Sequence, residues 1–305
     1  MDYKETEAIF DECIANIIKV ALEPSLTRPN HLFHYTNANG MLGIIDSRKL
    51  WATHYQYLND SSELEYGYSL AKEIIRGAIA AEENKEVKRF LENSLNSCSI
   101  SSSGLEFYIT CFCEHDDVLS QWRAYGGGAQ GYALGFEAGA IGRRKPTADN
   151  QNIHMRKVLY DERKQKELIS LAVKTLSEKL RSISGNGCSI DVIAAACRGL
   201  RMALVEMTIF FKHPAYEVEH EWRILHFPSN ESGLKFRDGP FGLTPYVELD
   251  ISASNGVYAN TIPLCSITAS PSKNTDNSCS ALKKMIHVKK LPHCSVHQST
   301  LPVRS

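Results

Sequence analysis

The sequence predicts an α+β fold, and two observations carry that prediction. Short segments rich in β-branched and aromatic residues gather in the middle and towards the end of the chain. Long stretches of helical periodicity are grouped between them, at residues 62–80, 85–95, 162–184 and 190–212. Runs of strands followed by runs of helices fit α+β better than a regular βαβ alternation. Hydrophobic residues are 43% and charged residues 23% of the 305, the balance of a globular chain rather than a disordered one.

The elements follow in order. Ala8, Ile9, Cys13, Ile17 and Ala21 recur at helical spacing, and Pro24 and Pro29 bracket a linker, so residues 1–30 read as a helix and its connection. His31–Thr36 reads as a strand, Met41–Asp46 as a helix, and Leu50–Ala52 as a second extended piece. Asn59-Asp60 marks a turn. Ser62 and Glu65 have capping-box spacing, so a helix should start near Ser62 and run to about Ala80. Lys85–Leu95 is a second helix. Strands are expected at Phe107–Glu114, Gly131–Glu137 and Val158–Asp161. The helices Glu162–Ser184 and Ile190–Lys212 form a helical insert, 162–212. Strands return at Glu219–Phe227, Tyr246–Leu249 and Ser266–Ser270, before a helix at Leu282–His287 and a strand at Cys294–His297. With no long unstructured linker, residues 1–305 read as a single composite domain.

Lys plus Arg total 34 and Asp plus Glu 35, a net charge of −1. That excludes a nucleic-acid binder driven by net charge, though not a local basic patch. No apolar run approaches the ~20 residues of a membrane span, so no membrane partner is expected. The N-terminal segment has no compact apolar core of a secretory signal. The nine cysteines are spread, the closest pair being Cys111 and Cys113. They read as free thiols in a reducing cytoplasm. A zinc site would need further Cys or His at short spacing, and with none there, no metal is expected.

Three clusters could carry chemistry. In His34-Tyr35-Thr36, a strand would point His34 and Thr36 to one face and Tyr35 to the other. His34 and the Thr36 hydroxyl could hold a sugar hydroxyl or a phosphate oxygen. A satisfied, half-buried histidine is the structural alternative. In Glu217–Arg223, a strand would line up Glu217, Glu219, Glu221 and Arg223 on one face. Acids in line repel unless water or a cation relieves them, so that face should be open or line a cleft. Its alternative is a charged strand edge that resists aggregation. In Gln121–Gly126, Trp122 and Tyr125 flank Arg123, a flat and cationic group suited to stacking on a base or cationic ring. Its alternative is a short helix with core aromatics.

Taken together these motifs are more specific. HLFHYT, Leu58-Asn59-Asp60 with Glu63, a strand ending Cys-Phe-Cys-Glu, Leu119–Trp122 with Tyr125, Gly135-Phe136-Glu137, Lys212 before Glu219–Arg223, and Ser299 with Pro302-x-Arg304 resemble the bacterial DUF2971 family over about Leu32 to Arg304. The chain departs from that pattern at Thr268–Pro271, where the family more often shows Gly-Pro. A second, looser likeness is to ADP-ribosyltransferases of the DarT-like type. That resemblance implies a bent, split β-sheet around a cleft that binds NAD as a substrate. It implies that His34 and Thr36 hold the adenosine-side ribose region, and that Tyr35 or a nearby aromatic bounds the nicotinamide pocket. Glu221 would be the catalytic carboxylate and Glu219 its Glu-x-Glu companion. Asn59, Trp122, Arg123, Tyr125 and Arg223 complete the NAD-binding set. On this reading the chain is an ADP-ribosyltransferase or NAD glycohydrolase, a toxin or anti-phage defence effector that modifies a nucleic acid or protein acceptor. The alternative is a non-enzymatic defence module that senses a nucleotide or binds a protein through the same cleft.

Overall fold

A computed structural model describes residues 3–22, 28–58, 62–99, 104–126, 130–141, 153–184, 189–228, 230–239, 242–253, 256–259, 261–272 and 274–302. The chain divides into two compact units, each assembled from three separate segments. One comprises residues 1–26, 60–105 and 158–217, the other residues 27–59, 106–157 and 218–305.

The first unit is helical: α1 (Tyr3–Leu22), α3 (Ser62–Ala81), α4 (Lys85–Asn96), α7 (Glu162–Ser184) and α8 (Ile190–Thr208). Asn84 caps α4 by accepting from the N–H groups of Glu86 and Val87, and Ser189 caps α8 by accepting from Val192. The predicted apolar stripes meet here, with Phe10, Ile14, Tyr68, Ile75, Phe90, Leu176, Leu200 and Leu204 all buried. Gln165 is fully buried and satisfied: its amide donates to the carbonyls of Leu159 and Lys212, and it accepts from Tyr66.

The second unit holds a ten-stranded mixed, open sheet: β1 (His31–Asn37), β2 (Lys49–His54), β3 (Tyr108–Cys113), β4 (Gly131–Glu137), β5 (Ile153–Lys157), β6 (Glu221–His226), β7 (Lys235–Gly239), β8 (Gly242–Asp250), β9 (Leu264–Ala269) and β10 (Ser295–Gln298). The main path is β10-β9-β4-β1-β3-β2-β8-β7. Four helices accompany it: α2 (Ala38–Ser47), α5 (Leu119–Tyr125), α6 (Ala138–Ile141) and α9 (Thr275–Val288). Asn37 caps α2, and Arg48 ends it in the left-handed region at φ 58°.

The sheet branches at β3. One edge of β3 pairs with β6 from Tyr108 to Cys113. The other edge is shared. β1 meets it at Phe33 opposite Cys113, and β2 meets it at Thr53 opposite Ile109 and His54 opposite Tyr108. β1 and β2 thus lean on opposite ends of one strand edge and part between them. By contrast β1 runs along β4 for its full length, from His31 opposite Glu137 to Asn37 opposite Gly131.

Several boundaries differ from the sequence reading. Val158–Asp161 is not a strand; the strand is β5, just before it, and Leu159 makes an isolated bridge to Phe211. The expected strand Glu219–Phe227 begins only at Glu221, because Pro214–Glu219 winds into a short 3₁₀ helix and His220 turns at φ 43°. The proline at the head of that segment suits a helical first position, which outweighs the alternating pattern. β7 was not foreseen: Lys235–Gly239 is too polar to read as a strand. Asn59-Asp60 lies outside the described residues, and so does the side chain of Ser62 in the proposed capping box. The helix starts at Ser62 as its pattern predicts.

Candidate functional site

Strand alternation sorts the candidate residues onto two faces of the sheet. Tyr35 sits opposite Ala133 in the β1–β4 ladder and packs with Cys113 and Trp122. Cys113 is opposite Glu221, and Cys111 opposite Arg223. Tyr35, Trp122, Glu221 and Arg223 therefore share one side. His34 lies opposite Leu134 and Thr36 opposite Tyr132, and both partners belong to the main core with Phe112 and Trp222. His34 and Thr36 thus share the other side, away from Glu221.

At the opening between β1 and β2, the His34 ring does what a ladder would do. Its Nδ1 is bonded to the Cys111 carbonyl at 2.9 Å, and the ring lies against Phe112. Enclosure by protein pushes the imidazole below its ordinary pKa, and that backbone bond only partly opposes the shift.

Tyr35 is fixed at both ends. Its ring meets Trp122 edge-on at 4.6 Å, and its hydroxyl donates to the His115 carbonyl and accepts from the Val118 N–H. Burial pushes that phenol up. Trp122 is buried on α5 while Arg123 and Tyr125 on the same helix are exposed. The Trp122 indole donates to Asp117, which also accepts from the Ser299 hydroxyl, the Thr300 N–H and the Thr300 hydroxyl. Burial would raise the Asp117 carboxyl, but these bonds outweigh it and hold the group low. Asp117 so ties Ser299 and Thr300 to the helix that bears Trp122.

Glu221 and Arg223 form a buried two-point pair, Nε to Oε1 at 2.8 Å and Nη2 to Oε2 at 3.0 Å. The expected open acidic face is thereby corrected. Glu221 is buried and paired with Arg223, and Glu219 lies in the 3₁₀ helix before the strand, one residue ahead of His220. Arg156 of β5 stands opposite Arg223. Burial, opposed by the bond from the His115 N–H and helped by the charges of Glu114, Glu219 and Glu221, pushes the Cys113 thiol up to about 11, which disfavours the thiolate at neutral pH.

One cluster escaped the sequence reading. Glu114, His115 and His220 bring a carboxylate oxygen and two ring nitrogens within 4.8 Å of one another. The His115 and His220 rings stand 4.7 Å apart at 83°. Two of these residues follow the end of β3 and the third immediately precedes β6, about a hundred positions away, so no short spacing announces them. Two concavities, one lined by Glu162, Lys166 and Leu171 and one by Tyr68, Ser94 and Leu204, lie in the helical unit. The described cysteines are all free thiols, and no helix among the described residues is long and apolar enough to cross a membrane.

Residues 121–224 match the model of a family described as a protein of unknown function, DUF2971, which supports the assignment reached from the motifs. The matched span takes in Trp122, Tyr125, Gly135–Glu137 and Glu219–Arg223, and does not reach the HLFHYT strand. No curated protein and no solved structure matches the chain.

Proposed function

We propose that this DUF2971 chain is an NAD-processing enzyme of the ADP-ribosyltransferase kind, acting in the cytoplasm as a defence effector or toxin and passing ADP-ribose to a nucleic acid, a protein or water. The observation that carries the reading is the parting of β1 and β2 on one edge of β3, because an NAD-binding split sheet needs such an opening. The HLFHYT strand lines that opening, and the strand of Glu221 lies across β3 from it, on that strand's other edge. Tyr35 and Trp122 supply aromatic faces for the cationic nicotinamide. Breaking the nicotinamide–ribose bond develops positive charge on the sugar, which an ionised Glu221 would stabilise. On this reading Arg223, now paired with that carboxylate, would exchange it for the substrate diphosphate.

A second reading is favoured by the same pair. A carboxylate already neutralised by a buried guanidinium, with His34 and Thr36 on the opposite side, suits a module that senses a nucleotide without cleaving it. NAD turnover by the purified chain, with and without total cellular nucleic acid, separates the two. The enzyme reading expects nicotinamide release by the wild-type protein and a loss of about 10²-fold or more in Glu221→Gln, with NAD affinity little changed. Since Glu221→Gln removes the charge from one half of a buried ion pair, its folding is checked by circular dichroism. NAD bound but never cleaved by wild type leaves the sensing module, and no binding of NAD at all ends the NAD reading.

A further inference from the structure

We propose that Glu114, His115 and His220 bind a late first-row divalent metal ion, with Zn²⁺ as the ion of reference. The donor set is two imidazoles and one carboxylate, which suits zinc and its neighbours and suits Mg²⁺ or Ca²⁺ poorly. Zinc at about 2.1 Å from each donor sets ligand atoms roughly 3.4 Å apart. Here all three lie within 4.8 Å, and His220 Nδ1 is 3.8 Å from Glu114 Oε2. The remainder, up to 4.8 Å less roughly 3.4 Å or about 1.4 Å, is within reach of rotations about the side-chain bonds.

The surroundings prepare the site. Glu114 Oε1 accepts from the Trp222 indole at 2.8 Å and from the Lys157 ammonium at 2.9 Å, which fixes the carboxylate and leaves Oε2 turned to His220. Second-layer bonds of this kind orient metal ligands in general. The backbones are held as well. The His115 carbonyl accepts from Tyr35, the His115 N–H is bonded to Cys113 Sγ, and the Glu114 N–H donates to the His220 carbonyl. His220 occupies the left-handed region at φ 43°, a costly conformation for a residue with a Cβ, and it swings the ring beside His115. His115 is exposed and the other two partly so, which gives an ion a path in and leaves a fourth position for water or substrate.

This inference does not rest on the NAD reading, since metal uptake is measured without NAD. The metal-stripped full chain is titrated with Zn²⁺ against a chromophoric chelator, with Co²⁺ as the absorbing substitute and Mg²⁺ as the control. One Zn²⁺ per chain is expected, with the His115 and His220 ring signals shifting in the wild-type NMR spectrum. His115→Ala and His220→Asn should each weaken binding by about a hundredfold or more, Asn being tolerant of the left-handed backbone. Trp222→Phe should weaken it by about ten- to a hundredfold through the lost indole N–H. Absence of stoichiometric uptake overturns the proposal. So does wild-type affinity in both histidine variants, unshifted ring signals, or displacement of Zn²⁺ by equal Mg²⁺.

Discussion

His34 shows how a motif residue can be read for chemistry and yet have structural work. Its Nδ1 bond to the Cys111 carbonyl bridges β1 and β3 where the ladder is thin, and enclosure lowers its pKa. The unfolded chain therefore takes up a proton at a pH where the folded one does not. Stability from the neutral ring is present above the unfolded value of about 6.5 and is lost as pH falls from there through the lowered folded value. The slope per proton is at most about 1.4 kcal/mol per pH unit. His34→Gln keeps a donor for Cys111 and has no proton to gain. Melting temperatures between pH 7.5 and 5 should fall more steeply for wild type than for this variant. Parallel curves would show that His34 titrates alike in both states. Glu221 teaches the converse lesson. Its neighbour Arg223 is visible in the sequence two residues on, but that both are buried depends on β3 and β5 flanking them.

Among the elements, α3 carries two glycines with opposite roles. A Cβ on Gly67 would stand 2.7 Å from Thr208 Cβ and 2.9 Å from its Cγ2, so α3 and α8 approach too closely there for any side chain. A Cβ on Gly77 would meet nothing within 4 Å. Gly77→Ala should stabilise the helical unit by about 0.5–1 kcal/mol, since glycine weakens a helix interior. Gly67→Ala has the same propensity gain, but overpacking should reverse it to a net loss of about 1–3 kcal/mol. Urea midpoints of the two variants measure the difference, and equal shifts would refute the close crossing. The helices themselves were legible, because 20 residues at a regular period leave little choice of structure. The 3₁₀ turn at Pro214–Glu219 was not. Its charges alternate as a strand's would, and the proline settles the matter only in context.

Across the whole molecule, the three tryptophans Trp51, Trp122 and Trp222 all belong to the sheet unit, while α1, α3, α4, α7 and α8 make up the helical one. Tryptophan fluorescence thus reports on one unit, and the far-ultraviolet helix signal mainly on the other. Each unit has its own buried core, so the two probes should give different denaturation midpoints. Coincident curves with calorimetric agreement would mean that residues 1–305 unfold as one domain, as the absence of long linkers suggests.

The amino-acid sequence by itself determined that helices and strands are mixed in the fold, the place of the long helices, the strand that holds His34 to Thr36, and the motifs that resemble DUF2971. These depend on local period and residue type, which neighbours in the chain carry. Only the tertiary structure decided that β1 and β2 part along one edge of β3, that Glu221 is locked to Arg223 in the interior, and that His220 comes to stand beside Glu114 and His115. Pairings such as Cys113 with Glu221 join residues about a hundred positions apart. Which strands meet is set by the burial of both faces of the sheet at once, and no local pattern encodes that choice.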